Sequence, residues 1–318
     1  MKVKKDLATK KMTACKDVFS DICNVNLMLY ESRRGECCKK ICPEDLKRIP
    51  TELVYRDRVG DLREHRMDVR MKHTESNTEI AIFCLENQSG ISNIMPVRNM
   101  GYSYSGYSEQ IRGIKKKNAR RGMRFYTKEI GDNQKLSPVI CLILYYGTEE
   151  WTGPKTLKVL LYIPEEWRAV LEPWISDYKI HIVSLAGQSE EIRDKYQSDF
   201  RHIVDYLAYR KNNDVEKLEE FSHDKTRKIV HPQEFVDMMY AFTDDKRYAV
   251  LAEQFSQSRK EGEDINMCML LDMVEGRGTD RVNLLNITLA KEGRINDIIK
   301  AAKNPKLQKE LMKQYGIG

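Results

Sequence analysis

No apolar run in this chain approaches the ~20 residues that span a bilayer as a helix. The basic N-terminus is not followed by the apolar core of a signal segment, so the expected location is cytoplasmic, with no membrane partner. No Cys-x₂-Cys pair is accompanied by a second such pair, and no histidine lies close in sequence to the cluster of Cys37, Cys38 and Cys42, which argues against a zinc site. Eight cysteines without a signal read as reduced thiols, with Cys84 and Cys141 as small core residues of apolar strands. Nothing in the sequence resembles a dedicated DNA-recognition module.

What is present suits a globular chain of 318 residues, with 41% hydrophobic and 32% charged residues. That length accommodates one large domain, or a catalytic domain with a smaller companion. The net charge of +6 is unevenly placed. Residues 1–16 carry six lysines against one aspartate, and residues 112–128 carry eight Lys or Arg and no acid, so the remainder is −7. Concentrated basicity of this kind fits a polyanionic partner better than a uniformly basic surface does. Both segments are equally open to the reading of solvated, mobile stretches.

The chain is organised around residues 64–99, EHRMDVRMKHTESNTEIAIFCLENQSGISNIMPVRN. Met67, Val69 and Met71 alternate with Asp68 and Arg70, which predicts a strand with one apolar face. Ile80–Leu85 is apolar on both faces, as in a buried strand, and Glu86 ends the run. The strand period of two puts Glu86 and Gln88 on one face and turns Asn87 away. A polar turn over Lys72–Asn77 lets the two strands lie antiparallel and bring Asp68 beside Glu86. Two converging carboxylates at a buried strand end repel each other and lose solvation, and a divalent cation relieves both. All-oxygen ligation favours Mg²⁺, with Mn²⁺ as a substitute. Acids at strand ends also form ordinary surface ion pairs, and the hairpin alone leaves that alternative open.

Asp68 followed by Glu86-x-Gln88 and then a helix resembles the Asp plus Glu-x-Lys core of PD-(D/E)XK nucleases. The longer strings LENQSGISNIMPVRNMGY, PVICLILYYGTEEWTGPKTL and KEGEDINMCMLLDM are similar to the recombination-promoting nuclease (Rpn, YhgA-like) family, whose alternative label is transposase. The resemblance runs from about Asp17 to the end of the chain. It implies an α/β (α+β) fold: a restriction-endonuclease-like αβββαβ core with a mostly helical C-terminal region. It further implies a Mg²⁺-dependent DNA endonuclease in which Asp68, Glu86 and Gln88 are catalytic. Asp68, Glu86 and the main-chain carbonyl of Asn87 would hold the metal. The helix over Lys16–Tyr30 carries an acid nearest the family's further metal-binding role, Asp21, although acids in an opening turn also simply favour the helix dipole. Gln88 stands where the superfamily has lysine, as the Rpn-like branch commonly does. Being neutral, it can orient water or a phosphate oxygen but cannot serve as cation or general base.

The remaining expectations follow the chain. Residues 1–12 read as a flexible basic arm, 13–188 as the nuclease-like domain and 189–318 as a helical C-terminal region. The first strand is expected over Thr51–Arg58. Val97, Met100, Tyr104, Tyr107, Ile111 and Ile114 recur at spacings of three and four, which predicts one buried helical face. Arg98, near the start of that helix, suits either a phosphate or a carboxylate. Beyond Ile114 the basic residues Lys115, Lys116, Lys117, Arg120 and Arg121 take over as expected nucleic-acid contacts, and the distal part of the run is expected to be a loop along the backbone, positioning DNA without reading sequence. Pro138–Tyr146 and Tyr178–Ser184 read as further strands, with Trp151 anchoring the turn between them, and Asn304-Pro305 separates two short final helices. A homodimer would suit double-strand cutting, though no feature of the sequence establishes one. Rival readings are a nucleic-acid-binding or scaffolding protein that does not cleave, and a transposase proper that joins strands as well.

Overall fold

A computed structural model describes residues 2–31, 40–56, 62–120, 130–131, 133–222, 226–257 and 265–317. Two compact units divide the chain, residues 1–218 and 219–318. The first is built on a mixed five-stranded sheet and the second is mostly helical, so the architecture is α+β. The division falls some thirty residues beyond the expected 188/189 boundary, because helices near residues 190–211 pack with the sheet-bearing unit. Among the described residues no helix is long and apolar enough to cross a membrane.

The chain opens with α1 (Lys2–Thr13), not the expected flexible arm. Its buried positions are Ala8, Thr9, Met12 and Thr13, four residues apart in pairs on one face. Short side chains carry that burial, which hides the helix from an apolar-stripe reading. Helix α2 (Lys16–Glu31) follows and buries Val18, Phe19, Ile22, Cys23 and Val25.

The main sheet has the order β1-β4-β5-β6-β7, formed by β1 (Leu46–Arg48), β4 (Val69–Glu75), β5 (Thr78–Gln88), β6 (Val139–Tyr145) and β7 (His181–Ser184). The expected first strand is displaced: β2 (Glu52–Arg56) pairs with β3 (Leu62–Arg66) in a separate antiparallel hairpin, and β1 takes the sheet position. Strands β4 and β5 are antiparallel, with Val69 opposite Leu85. Their connection is tighter than the polar stretch suggests, because Ser76 (φ 49°) and Asn77 (φ 64°) both adopt the left-handed region that a two-residue hairpin requires. Strand β5 then runs parallel to β6, and β6 parallel to β7. Ala81 through Asn87 are all buried, as a central strand demands.

Helix α3 (Met95–Arg120) crosses the sheet between β5 and β6 in sequence. Its buried face is not the predicted one: Asn99, Tyr102, Ser103, Ser105 and Gly106 point inward, whereas Val97, Met100 and Tyr104 are exposed. Small residues allow close approach to the sheet. A Cβ added at Gly106 would lie 2.9 Å from Val139, inside any normal contact. Trp151 is buried as expected, its indole N–H donating to the Gly153 carbonyl at 2.9 Å and its ring edge-on to Tyr145.

The unit is completed by α4 (Glu165–Leu171), α5 (Glu190–Arg193) and α6 (Phe200–Lys211), and the division falls within α7 (Val215–Ser222). In the second unit, α8 (Pro232–Thr243), α9 (Lys246–Gln257), α10 (Met267–Lys291), α11 (Ile295–Lys303) and α12 (Pro305–Gln314) are accompanied by one short strand pair, β8 (Lys228–Ile229) with β9 (Ile265–Asn266). Leu285, Leu289, Ala301 and Leu311 form its buried cluster. The Asn304-Pro305 break is a capping device: the Asn304 side chain accepts from the N–H groups of Lys306 and Leu307, and Pro305 occupies the first turn of α12.

Candidate active site

The site lies where β4 begins and β5 ends. Asp68 occupies the bend just before β4, one step beyond the Val69/Leu85 pair and so level with Glu86. Its carboxylate closes the end of the ladder, one oxygen accepting the Asn87 main-chain N–H at 2.7 Å. The N–H and C=O of a strand residue point to the same side, so the Asn87 carbonyl also faces the Asp68 side of β5. The other Asp68 oxygen lies 2.9 Å from the ammonium of Lys10, which reaches in from α1 and also pairs with Asp6 at 2.8 Å. Burial raises the Asp68 pKa above the usual carboxylate value, against the pull of the Asn87 N–H and of Lys10.

Glu86 and Asn87 point to opposite faces of the sheet. On the Asn87 face, its amide donates to the Thr13 hydroxyl of α1 at 3.3 Å and accepts from the Tyr146 hydroxyl at 2.8 Å. On the Glu86 face, one carboxylate oxygen accepts three hydrogen bonds: from the Arg98 guanidinium at 2.5 Å, the Gln88 amide at 2.9 Å and the Tyr102 hydroxyl at 3.1 Å. Arg98 and Tyr102 are one helical turn apart on α3, and the guanidinium also donates to the Tyr102 oxygen at 2.9 Å. The second Glu86 oxygen is buried and has no hydrogen-bond partner.

A carboxylate with one orphaned oxygen at 4% side-chain exposure is costly to ionise. Burial first, then the charge of Asp68, pushes the Glu86 pKa up to about 7, with Arg98 working against both. The donor set fits a hard divalent cation: the unpartnered Glu86 oxygen, the Asp68 carboxylate and the Asn87 carbonyl are all oxygens. Among the described residues, no group of three or more His, Cys, Asp or Glu gathers as a metal cluster, so any ion here would be held by two carboxylates, main chain and water.

The expected residues divide accordingly. Asp68, Glu86, Asn87, Gln88 and Arg98 come together, and Arg98 takes the carboxylate-pairing option. Asp21 does not join them. Its carboxylate accepts from the main-chain N–H groups of Gln197 and Ser198 and from the Ser198 hydroxyl, at 2.7 to 2.9 Å, and ties α2 to the approach of α6. Lys115, Lys116, Lys117 and Arg120 are exposed on the last turns of α3, and the distal part of the basic run, expected as a loop, lies outside the described residues. Arg121 lies outside the described residues, as do Cys37 and Cys38. Lys10, Tyr102, Thr13 and Tyr146 were not expected. The spacing of Asp6 and Lys10, four apart in the order that stabilises a helix, was the available signal for α1.

No protein-family model, curated protein or solved structure matches this chain.

Proposed function

We propose that this protein is a Mg²⁺-dependent DNA endonuclease resembling the recombination-promoting nucleases, with Mn²⁺ able to substitute. One observation carries the reading: a buried carboxylate oxygen of Glu86 without a partner, held level with Asp68 at the open end of a strand pair. The succession within the main sheet of helix α2, strands β1, β4 and β5, helix α3 and strand β6 agrees with the αβββαβ core expected of that superfamily.

Asp68, Glu86 and the Asn87 carbonyl would hold the ion, which when bound supplies Lewis-acid stabilisation of charge on the scissile phosphate. The chain's own groups do the rest. Gln88, fixed against Glu86, offers a neutral amide that orients water or a phosphate oxygen. Arg98, about one-third exposed, is both the counter-charge of Glu86 and a donor open to phosphate. Lys115–Lys117 and Arg120 lie on the same helix, 17 or more residues on from Arg98, which at about 1.5 Å per residue is roughly 25 Å. That separation suits a second, sequence-independent grip on the backbone of the same duplex.

The test is supercoiled plasmid incubated with and without Mg²⁺. Wild type is expected to nick or linearise it only with the metal, and Asp68→Ala and Glu86→Ala to lose cleavage by at least about a thousandfold while retaining binding. Equal cleavage by all three chains would take the site out of the chemistry. A second reading, a DNA-binding or scaffolding protein without cleavage, is favoured by the close Arg98 pairing with Glu86, which already supplies a cation to that carboxylate. It predicts Mg²⁺-independent binding and no nicking by wild type.

A further inference from the structure

Lys10 stands out in unit one because it sets a positive charge against Asp68, in a site whose sequence pattern offers only the neutral amide of Gln88, itself bonded to Glu86. It is carried on α1, whose other inward residues, Ala8, Thr9, Met12 and Thr13, fix the helix against the body of the unit. Thr13 receives the Asn87 amide, so α1 is fastened to the same strand residue whose main-chain N–H holds Asp68. The ammonium has three hydrogens. Asp6 and Asp68 take two, and the side chain is 27% exposed, which leaves its open side toward solvent next to the two acids. Asp6 is half exposed and four residues back on the same helix, so it steadies Lys10, whereas Asp68 is buried and remote in sequence.

We propose that Lys10 is a positioning residue of this site: from α1 it supplies the fixed cation that Gln88 lacks, and it holds one oxygen of Asp68 so that only the other oxygen, itself oriented by the Asn87 N–H, is offered to a divalent ion. The inference rests on the nuclease reading given above. Its physical content is a competition. An ammonium bound to a carboxylate oxygen disfavours a second cation there, so it weakens metal binding while fixing the geometry in which metal binding is productive. Removing the ammonium frees that oxygen for any divalent cation. Metal affinity and turnover then move in opposite directions, which no purely structural role for a surface lysine produces.

The experiment compares the full chain with Lys10→Met, Lys10→Arg and Asp68→Ala in three measurements: calorimetric titration with Mn²⁺, plasmid nicking as a function of substrate concentration at saturating Mg²⁺, and thermal unfolding. Lys10→Met is expected to unfold within a few degrees of wild type and to bind Mn²⁺ up to about fivefold tighter. Its kcat is expected to fall by at least about tenfold with little change in KM, and Lys10→Arg to recover most of the loss. Asp68→Ala marks the level to which Mn²⁺ binding falls when the carboxylate itself is gone. Wild-type turnover and unchanged Mn²⁺ affinity in Lys10→Met would overturn the inference and leave the nuclease reading standing. Parallel losses of turnover, Mn²⁺ affinity and thermal stability would also overturn it, because Lys10 would then serve only the fold. A wild-type chain that cleaves nothing removes the nuclease reading, and this inference with it.

Discussion

Glu86→Gln is expected to abolish plasmid cleavage and, at pH 8, to make the protein more stable than wild type by on the order of 3 kcal/mol. Both effects come from one oxygen. In the folded chain the Glu86 carboxyl titrates at about 7, raised by burial and by Asp68 from an ordinary value of 4.5. The folded state therefore holds a proton more tightly than the unfolded state between those values. Stability falls as pH rises through that window and levels off above it. A difference of about 2.5 units at about 1.4 kcal/mol each gives the stated figure. Glutamine keeps the shape, removes the charge and leaves Arg98, already partly exposed, to be solvated. The gain should shrink to under about 1 kcal/mol at pH 5, where folded wild-type Glu86 is itself neutral and only the unfolded chain is ionised there.

Urea unfolding at pH 5, 6.5 and 8 without divalent ions measures it. A chain that loses stability at pH 8 would sink this account of Glu86's burial, and one that nicks plasmid at the wild-type rate would remove Glu86 from the chemistry. Asp68→Ala should move the other way, losing about 1 to 3 kcal/mol, because it leaves the Asn87 N–H without its acceptor and Lys10 without its buried partner. Two neighbouring acids with opposite effects on stability distinguish a strained pair of buried carboxylates from ordinary surface ion pairs. If the proposed function holds, Mg²⁺ should stabilise wild type more at pH 8 than at pH 5, since it would bind the ionised carboxylates.

Ile143→Ala should cost about 2 to 5 kcal/mol and Ile143→Val about 1 kcal/mol. Ile143 is fully buried on β6, paired with Glu86 on one side and Ile182 on the other. It packs in a cluster with Met95, Tyr145, Trp151 and Ile180, so truncation opens a cavity directly beneath the site. Tryptophan fluorescence during urea unfolding is a suitable readout, because Trp151, Trp167 and Trp174 all lie in the first unit and the second unit adds no signal. A loss below about 0.5 kcal/mol for the alanine variant would mean that β6 is not the centre of this core.

The β4/β5 hairpin and β6 are legible in the sequence because their side chains announce a period. The alternation of Met67, Val69 and Met71 around Asp68, an unbroken apolar run to Leu85 and the PVICLILYY segment each announce a strand. Both helices that touch the site were read less well, for one reason. Helix α1 buries alanine, methionine and threonine among lysines, and α3 turns asparagine, serine and glycine inward while exposing Val97, Met100 and Tyr104. Close packing selects for small side chains, and small side chains carry little hydrophobic signal. The partners of Asp21 were not legible because an acid in an opening helix looks the same whether it faces an ion or caps a distant turn, and its bonds run to the backbone of Gln197 and Ser198. The β2/β3 hairpin took residues expected for the first strand because five consecutive pairs with each other satisfy both segments locally.

The bare backbone at Gly106 makes α3 a gauge. Where the helix meets β6 it has no side chain of its own to set a spacing, so the Val139 side chain rests almost against the α3 main chain. Arg98 lies two turns up the same rod, and its reach to Glu86 is fixed by how low the rod sits. The charge balance of the site is thus calibrated by a residue that carries neither charge nor side chain.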